Sequence, residues 1–180
     1  MMSRMAAVVS ALTLVACVTD APGESAYNKG VAAYRAKDYG QARRHWSRAI
    51  DEGEIHALNN LGYLLYYGLG GEADPGRAAS LWRKGAAAGH SEAQWHLGRA
   101  FTDGKGVDKS DAEAYAWYRC ALANAEAAAR EEPEIENAIA QDVRRSIVIL
   151  VDKLSPAQFE IAARLADQYL RSCVKGEKSK

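Results

Sequence analysis

The sequence predicts an all-α protein, a short α-solenoid of helix-turn-helix repeats closed by a C-terminal helical cap. Three observations predict it. Alanine and leucine are plentiful while runs of Val, Ile and Thr are scarce, a balance that suits helices and leaves little material for strands. Trp46, Trp82 and Trp117 stand 36 and 35 residues apart, and matched glycines and alanines keep step with them. Helix-capping signals open the segments that carry these tryptophans. The 180 residues suit one domain, and the 23 basic and 23 acidic side chains cancel. No field of that size steers nucleic acid toward the protein.

Residues 1–16 read as a secretory signal. Arg4 supplies the basic start, and Met5 to Ala16 is an apolar run broken only by Ser10 and Thr13. The run falls short of the roughly twenty residues that span a bilayer. It ends Leu14-Val15-Ala16-Cys17, which resembles a bacterial lipobox. The resemblance implies that the Cys17 thiol receives diacylglycerol and that cleavage falls just before it. Val18 is not the aspartate that retains many lipoproteins at the inner membrane, so the resemblance favours the outer membrane, with the protein facing the periplasm. Residues 17–24 then form a lipidated tether, whose last seven residues reach at most about 25 Å. An ordinary cleaved signal, or an apolar start that is never removed, is the alternative.

Residues 25–124 hold three repeats. Seven residues after each tryptophan stands a turn residue: Gly53, Gly89 and Asn124. Four beyond the two glycines are Ala57 and Ala93, and five further on are Gly62 and Gly98. These open the matching segments Leu61-Gly62-Tyr63-Leu64-Leu65-Tyr66-Tyr67-Gly68-Leu69-Gly70 and Leu97-Gly98-Arg99-Ala100-Phe101-Thr102-Asp103-Gly104-Lys105-Gly106. The pattern resembles the Sel-1-like repeat, a relative of the tetratricopeptide repeat. Residues 53–124 carry two good copies; residues 25–52 carry a shorter one, with Gly30, Tyr34, Tyr39, Ala42, Trp46 and Ala49 but no Gly-x-Gly loop.

Each unit reads as two helices. Gly62 and Gly98 lie mid-helix, where glycine costs about 1 kcal/mol against alanine, so a neighbouring helix is expected to approach closely there. Gly68, Gly70, Gly104 and Gly106 allow the positive φ that stops one helix and turns into the next. The second helices open on Asp38 with Gln41, Asp74 before Pro75, and Ser110 with Glu113. The three tryptophans are expected to fill equivalent gaps between helix layers.

Residues 125–174 supply the cap that an open solenoid end requires. Ile135, Ala138, Ile139, Val143, Ile147, Leu150, Val151 and Leu154 fall at helical spacing, and Ser155-Pro156-Ala157-Gln158 is a capping box with proline at the first helical position. A second stripe follows: Phe159, Ala162, Ala163, Ala166, Tyr169, Leu170 and Cys173. Residues 175–180 are too polar to pack and read as a disordered tail.

The resemblance implies that the first helix of each pair lines a concave groove where protein segments lie. Its groove-facing positions fall on Glu24, Tyr27, Val31, Tyr34 and Arg35 in the first repeat. In the second they are His56, Asn59, Tyr63, Tyr66 and Tyr67, and in the third Glu92, Trp95, Arg99, Thr102 and Asp103. The candidate partner-binding residues are Tyr27, His56, Asn59, Tyr63, Tyr66, Tyr67, Trp95 and Arg99. Tyrosine and tryptophan are large, stiff and polar-tipped, which suits binding hot spots. The same aromatics could instead pack against neighbouring helices of the solenoid.

No arrangement reads as catalytic or metal-binding, and no cofactor is implied. Gly68-x-Gly70 has no preceding strand and recurs in the next repeat, so it is a turn rather than a nucleotide loop. Ser172-x-x-Lys175 lacks the companion motifs of penicillin-recognising enzymes. His45, His56, His90 and His96 fall on different helices or faces without metal-ligand spacing. Glu131, Glu132 and Glu134 read as a solvated loop and helix start. Cys120 and Cys173 leave two alternatives open, a disulfide pinning the cap to the last repeat or two separately buried thiols. The expected function is that of a membrane-anchored scaffold that binds a protein segment in the bacterial envelope. The competing class is a cell-wall-associated enzyme or a peptidoglycan-binding accessory protein.

Overall fold

The computed structural model describes residues 24–173. The expected signal, Cys17, all but the last residue of the tether, and the tail lie outside the described residues. Eight helices and no strand occur among the described residues: α1 (Ala26–Arg35), α2 (Tyr39–Asp51), α3 (His56–Tyr67), α4 (Pro75–Ala87), α5 (Ser91–Asp103), α6 (Asp111–Ala128), α7 (Pro133–Val151) and α8 (Pro156–Cys173). Helices α1 and α2, α3 and α4, and α5 and α6 pack as hairpins, and α2 against α3 and α4 against α5 join one hairpin to the next. This is an α-solenoid. Helix α7 stands beside α5 as α5 stands beside α3, while also packing on α6, and α8 folds onto α6.

The capping residues do what their chemistry allows. Asp38 Oδ1 accepts from the Gln41 amide at 3.0 Å, Asp74 Oδ1 from Arg77 at 2.9 Å, and Ser110 Oγ from Glu113 at 3.2 Å. Each satisfies one amide of a first helical turn that has no carbonyl below it. At α8 the capping box is complete: Gln158 Oε1 accepts from the Ser155 amide and Ser155 Oγ from the Gln158 amide.

The mid-helix glycines mark the points of closest approach. A Cβ on Gly62 would stand 2.5 Å from the Trp82 indole nitrogen, and one on Gly30 would stand 2.3 Å from that of Trp46. Trp46 and Trp82 are buried, and Trp82 Nε1 donates to the Asn59 carbonyl at 3.3 Å. In the third repeat the expectation fails by one residue. The ring over Gly98 belongs to Tyr118, 2.6 Å from where a Cβ would be, and not to Trp117. Trp117 is only half-buried and sets its edge against Tyr169 of α8, with ring centroids 5.1 Å apart. Tyr118 keeps the 20-residue offset from Gly98 that Trp82 keeps from Gly62, so the second and third repeats share one 36-residue register, while the shorter first repeat sets Trp46 16 residues after Gly30.

The loops interlock through backbone. Gly70 and Gly106 hold φ of +78° and +81°, and a Cβ on Gly106 would fall 2.2 Å from the Pro75 carbonyl oxygen. Gly70 meets Tyr39 and Gly40 in the same way. Each Gly-x-Gly loop therefore rests on the start of the second helix of the preceding repeat. Arg43 adds a bond set that spacing does not show. Its guanidinium donates to the carbonyls of Leu64, Leu69 and Glu72 at 3.0, 2.7 and 3.1 Å, closing the end of α3.

Two further expectations are corrected. Asn124 makes no turn, because the alanine-rich run around it carries α6 on to Ala128. Its buried amide instead donates to Gln94 Oε1 at 3.0 Å and to the Cys173 carbonyl at 2.8 Å. On α7, Ile135 is 61% exposed and Ala138 also faces solvent, while Ala140, Val143 and Leu150 are buried. The apolar stripe therefore starts a turn later than its spacing suggests. Cys120 and Cys173 are joined by a disulfide, with Cα atoms 6.0 Å apart.

Candidate functional site

A trough of about 600 Å³ runs across the first helices of the three repeats. Helix α1 contributes Val31, Tyr34 and Arg35, α3 contributes Asn59, Asn60, Tyr63 and Tyr67, and α5 contributes Glu92, Trp95, His96 and Arg99; Trp46 of α2 completes the lining. These helices place one face on the trough because the opposite face carries Ala57, Leu61, Leu64, Ala93, Leu97 and Ala100, all buried against the second helices.

The wall is aromatic and ordered by stacking. Tyr63 and Tyr67 lie 4.7 Å apart between centroids, and Tyr63 lies 5.9 Å from His96. The His96 imidazole stacks on Trp82 and on Trp95, each at 5.0 Å. Burial, and next the charge of Arg99, pulls the His96 pKa down to about 3, so the ring is neutral and packs as an aromatic. Arg99 stands over the Trp95 ring at 5.9 Å, a cation–π arrangement. Burial pushes the Tyr63 phenol pKa up, with smaller contributions from Tyr34 and Tyr67. Tyr63 therefore remains a hydrogen-bond donor at neutral pH. Glu92 is likewise raised by burial and then by Glu136, and its Oε2 accepts from Asn59 Nδ2 at 2.8 Å. Asn59 Oδ1 is buried and has no hydrogen-bond partner.

Of the residues singled out by the groove pattern, Asn59, Tyr63, Tyr67, Trp95 and Arg99 meet in this trough. Tyr66, Tyr27 and His56 do not. Tyr66 is 3% exposed, packs on Trp82 and donates to Asp103 Oδ2 at 2.8 Å, so it belongs to the core. Tyr27 packs on the core, and its hydroxyl accepts from Asn60 Nδ2 at 3.3 Å. His56 sits at the start of α3 with its Nδ1 3.0 Å from His90 Nε2, so these two histidines meet although they belong to different helices. His90 Nδ1 accepts from the Ala93 amide and caps α5. Thr102 and Asp103 line a smaller hollow beside α7. Asn60 and His96, missed by the pattern, are repeat equivalents 36 residues apart, and that equivalence was their only signal.

No residue of α7 or α8 is among those that line the trough. The Trp95 indole donates to Ser146 Oγ of α7 at 3.0 Å. Among the described residues no group of three or more His, Cys, Asp or Glu side chains is placed to hold a metal. No helix among them is long and apolar enough to cross a membrane.

The fold and the trough define a class of protein, a helical repeat scaffold for protein interaction. The chain belongs to the Sel1-repeat family, whose repeat model matches residues 23–54, 55–90 and 91–125. It is similar to the ERAD-associated E3 ubiquitin-protein ligase component HRD3A of Arabidopsis thaliana, 31% identical over 94 residues, which is 51% of this chain and 14% of that protein. Two solved structures are similar. One is c5321, a protective antigen of uropathogenic Escherichia coli with an SLR fold, at TM-score 0.67 and 27% identity over 83% of this chain and 30% of that one. The other is a Sel1 repeat protein from Oxalobacter formigenes, at TM-score 0.53 and 25% identity over 81% of this chain and 57% of that one. The chain thus spans under two thirds of the length of each of these relatives.

Proposed function

We propose that this protein is a membrane-anchored scaffold of the bacterial envelope that binds an extended segment of a partner protein in the α1–α3–α5 trough and makes or breaks no bond. The observation that carries the reading is the trough itself, an open, largely preformed hollow of about 600 Å³ walled by Tyr34, Tyr63, Tyr67 and Trp95. Such rigid aromatic surfaces bury large area at small entropic cost. The anchoring half of the proposal rests on the Leu14-Val15-Ala16-Cys17 sequence, with a lipid on Cys17 holding the chain to the outer membrane on its periplasmic side.

Each half has its own test. Photo-crosslinking from position 67 in cells, compared with the Tyr63→Ala/Trp95→Ala variant, reads the trough. A crosslinked partner that disappears in the folded variant supports the assignment; undiminished crosslinking by that variant refutes it. Fatty-acid labelling of the wild type and of Cys17→Ser reads the anchor. Label in the wild type alone is expected, and label in neither or in both rejects the lipoprotein reading.

A further inference from the structure

We infer that the segment accepted by the trough is acidic, with two side-chain carboxylates flanking an apolar centre, one on Arg99 and one on Arg35. This inference rests on the trough being the binding site and adds the chemistry of what it takes. Both guanidiniums line the trough, and neither has a carboxylate or carbonyl partner among the described residues. Arg99 is half-buried against Trp95, and its positive charge acts on His96, Tyr63, Tyr66 and Tyr118 alike. The one carboxylate that lines the trough, Glu92, accepts from Asn59, and burial favours its neutral form. Two guanidiniums face one carboxylate there, so the hollow is positive with two forked donors left over, and guanidinium forks match carboxylates.

Geometry adds a spacing. Arg35 ends α1 and Arg99 lies on α5, two helix spacings away, or about 16–20 Å at ordinary packing distances. An extended chain covers that in about five or six residues. Between the two charges the wall is Tyr34, Tyr63 and Tyr67, which suits apolar side chains. The chain's own C-terminal tail is a poor occupant, since Lys175, Lys178 and Lys180 outnumber Glu177 and share the sign of the trough.

The test is selection of a displayed library of random twelve-residue peptides on the full-length protein. The peptides are fused at their C-termini, so only side-chain carboxylates are available. Enriched peptides are expected to carry Asp or Glu at two positions about five residues apart, with apolar residues between. Replacing both acids by Asn or Gln is expected to weaken binding at least about tenfold, as is Arg99→Gln. Affinity for the acidic peptide is expected to fall as salt rises, less steeply for Arg99→Gln and for the exposed Arg35→Gln. Peptides that need Tyr63 and Trp95 yet show no acidic preference would overturn this inference while leaving the trough assignment intact. Peptides indifferent to Tyr63 and Trp95 overturn both.

Discussion

The Trp95 indole N–H donates to Ser146 Oγ across 3.0 Å, so the aromatic wall of the trough and helix α7 of the cap are joined by one hydrogen bond. Ser146 Oγ in turn donates to the Asp142 carbonyl at 2.9 Å within its own helix, which fixes the hydroxyl for Trp95. The large ring is thereby held in one orientation before any partner arrives. Ser146→Ala removes the acceptor and is expected to cost about 1 kcal/mol of stability in denaturant unfolding. It is also expected to weaken capture at the trough without touching its lining. Unchanged stability and unchanged capture would show that this bond positions nothing.

The 36-residue register gives a sharp contrast between two tryptophans. Trp82→Ala empties a fully buried site over Gly62 and is expected to cost about 3–5 kcal/mol. Trp117→Ala removes a half-buried ring that meets Tyr169, and it is expected to cost less while loosening α8. Thermal melting of both variants, with hydrogen exchange over residues 156–173, separates them. Equal losses would restore the three tryptophans to equivalence.

Gly98→Ala probes the same register from the other side. The new methyl would meet the Tyr118 ring at 2.6 Å and the Ala114 carbonyl oxygen at 3.2 Å, so α5 and α6 must part. The expected loss is about 1–3 kcal/mol, although alanine is the better helix former. A variant as stable as the wild type or more so would remove Tyr118 from that position.

The Cys120–Cys173 bond closes a loop of 53 residues between α6 and α8. Constraint of the unfolded chain by a loop of that length contributes about 4 kcal/mol. Addition of reductant is therefore expected to lower the melting temperature of the wild type and to leave a Cys120→Ala/Cys173→Ala variant unmoved. Two reactive thiols from these positions in the unfolded, unreduced protein would contradict the bond.

His96 sets a pH limit. Its pKa is lowered to about 3 in the fold against 6.5 for a free imidazole, so between those values the unfolded chain holds a proton that the folded one does not. Stability is expected to be unaffected by this group above about pH 6.5 and to fall by about 1.4 kcal/mol per unit as pH drops toward 3. His96→Gln should flatten that slope. An unchanged slope would show the imidazole to be protonated or solvated in the fold.

Much of this architecture was legible because backbone requirements repeat. Gly62 and Gly98 announced close helix approach, and Asp38, Asp74, Ser110 and Ser155 announced helix starts, since each depends on residues near in sequence. The trough was half legible. Tyr63, Tyr67, Trp95 and Arg99 follow from the repeat positions, but Tyr66 goes to the core because Trp82 and Asp103 engage its ring and hydroxyl. Residue type matches Trp117 to Trp82, whereas the 20-residue offset from glycine that the second repeat shows picks out Tyr118. The bonds of Arg43 and the His56–His90 pair join residues 21 or more apart whose meeting depends on how one repeat sits on the next. No local pattern encodes that.

The seating of Gly106 on Pro75, and of Gly70 on Tyr39, has a bearing on how such a molecule diversifies. Because main chain touches main chain there, the pitch from one hairpin to the next is indifferent to which side chains face outward. The protein is in effect a ruler of fixed graduation, and exchanging the residues at its marks changes what is measured without altering the scale.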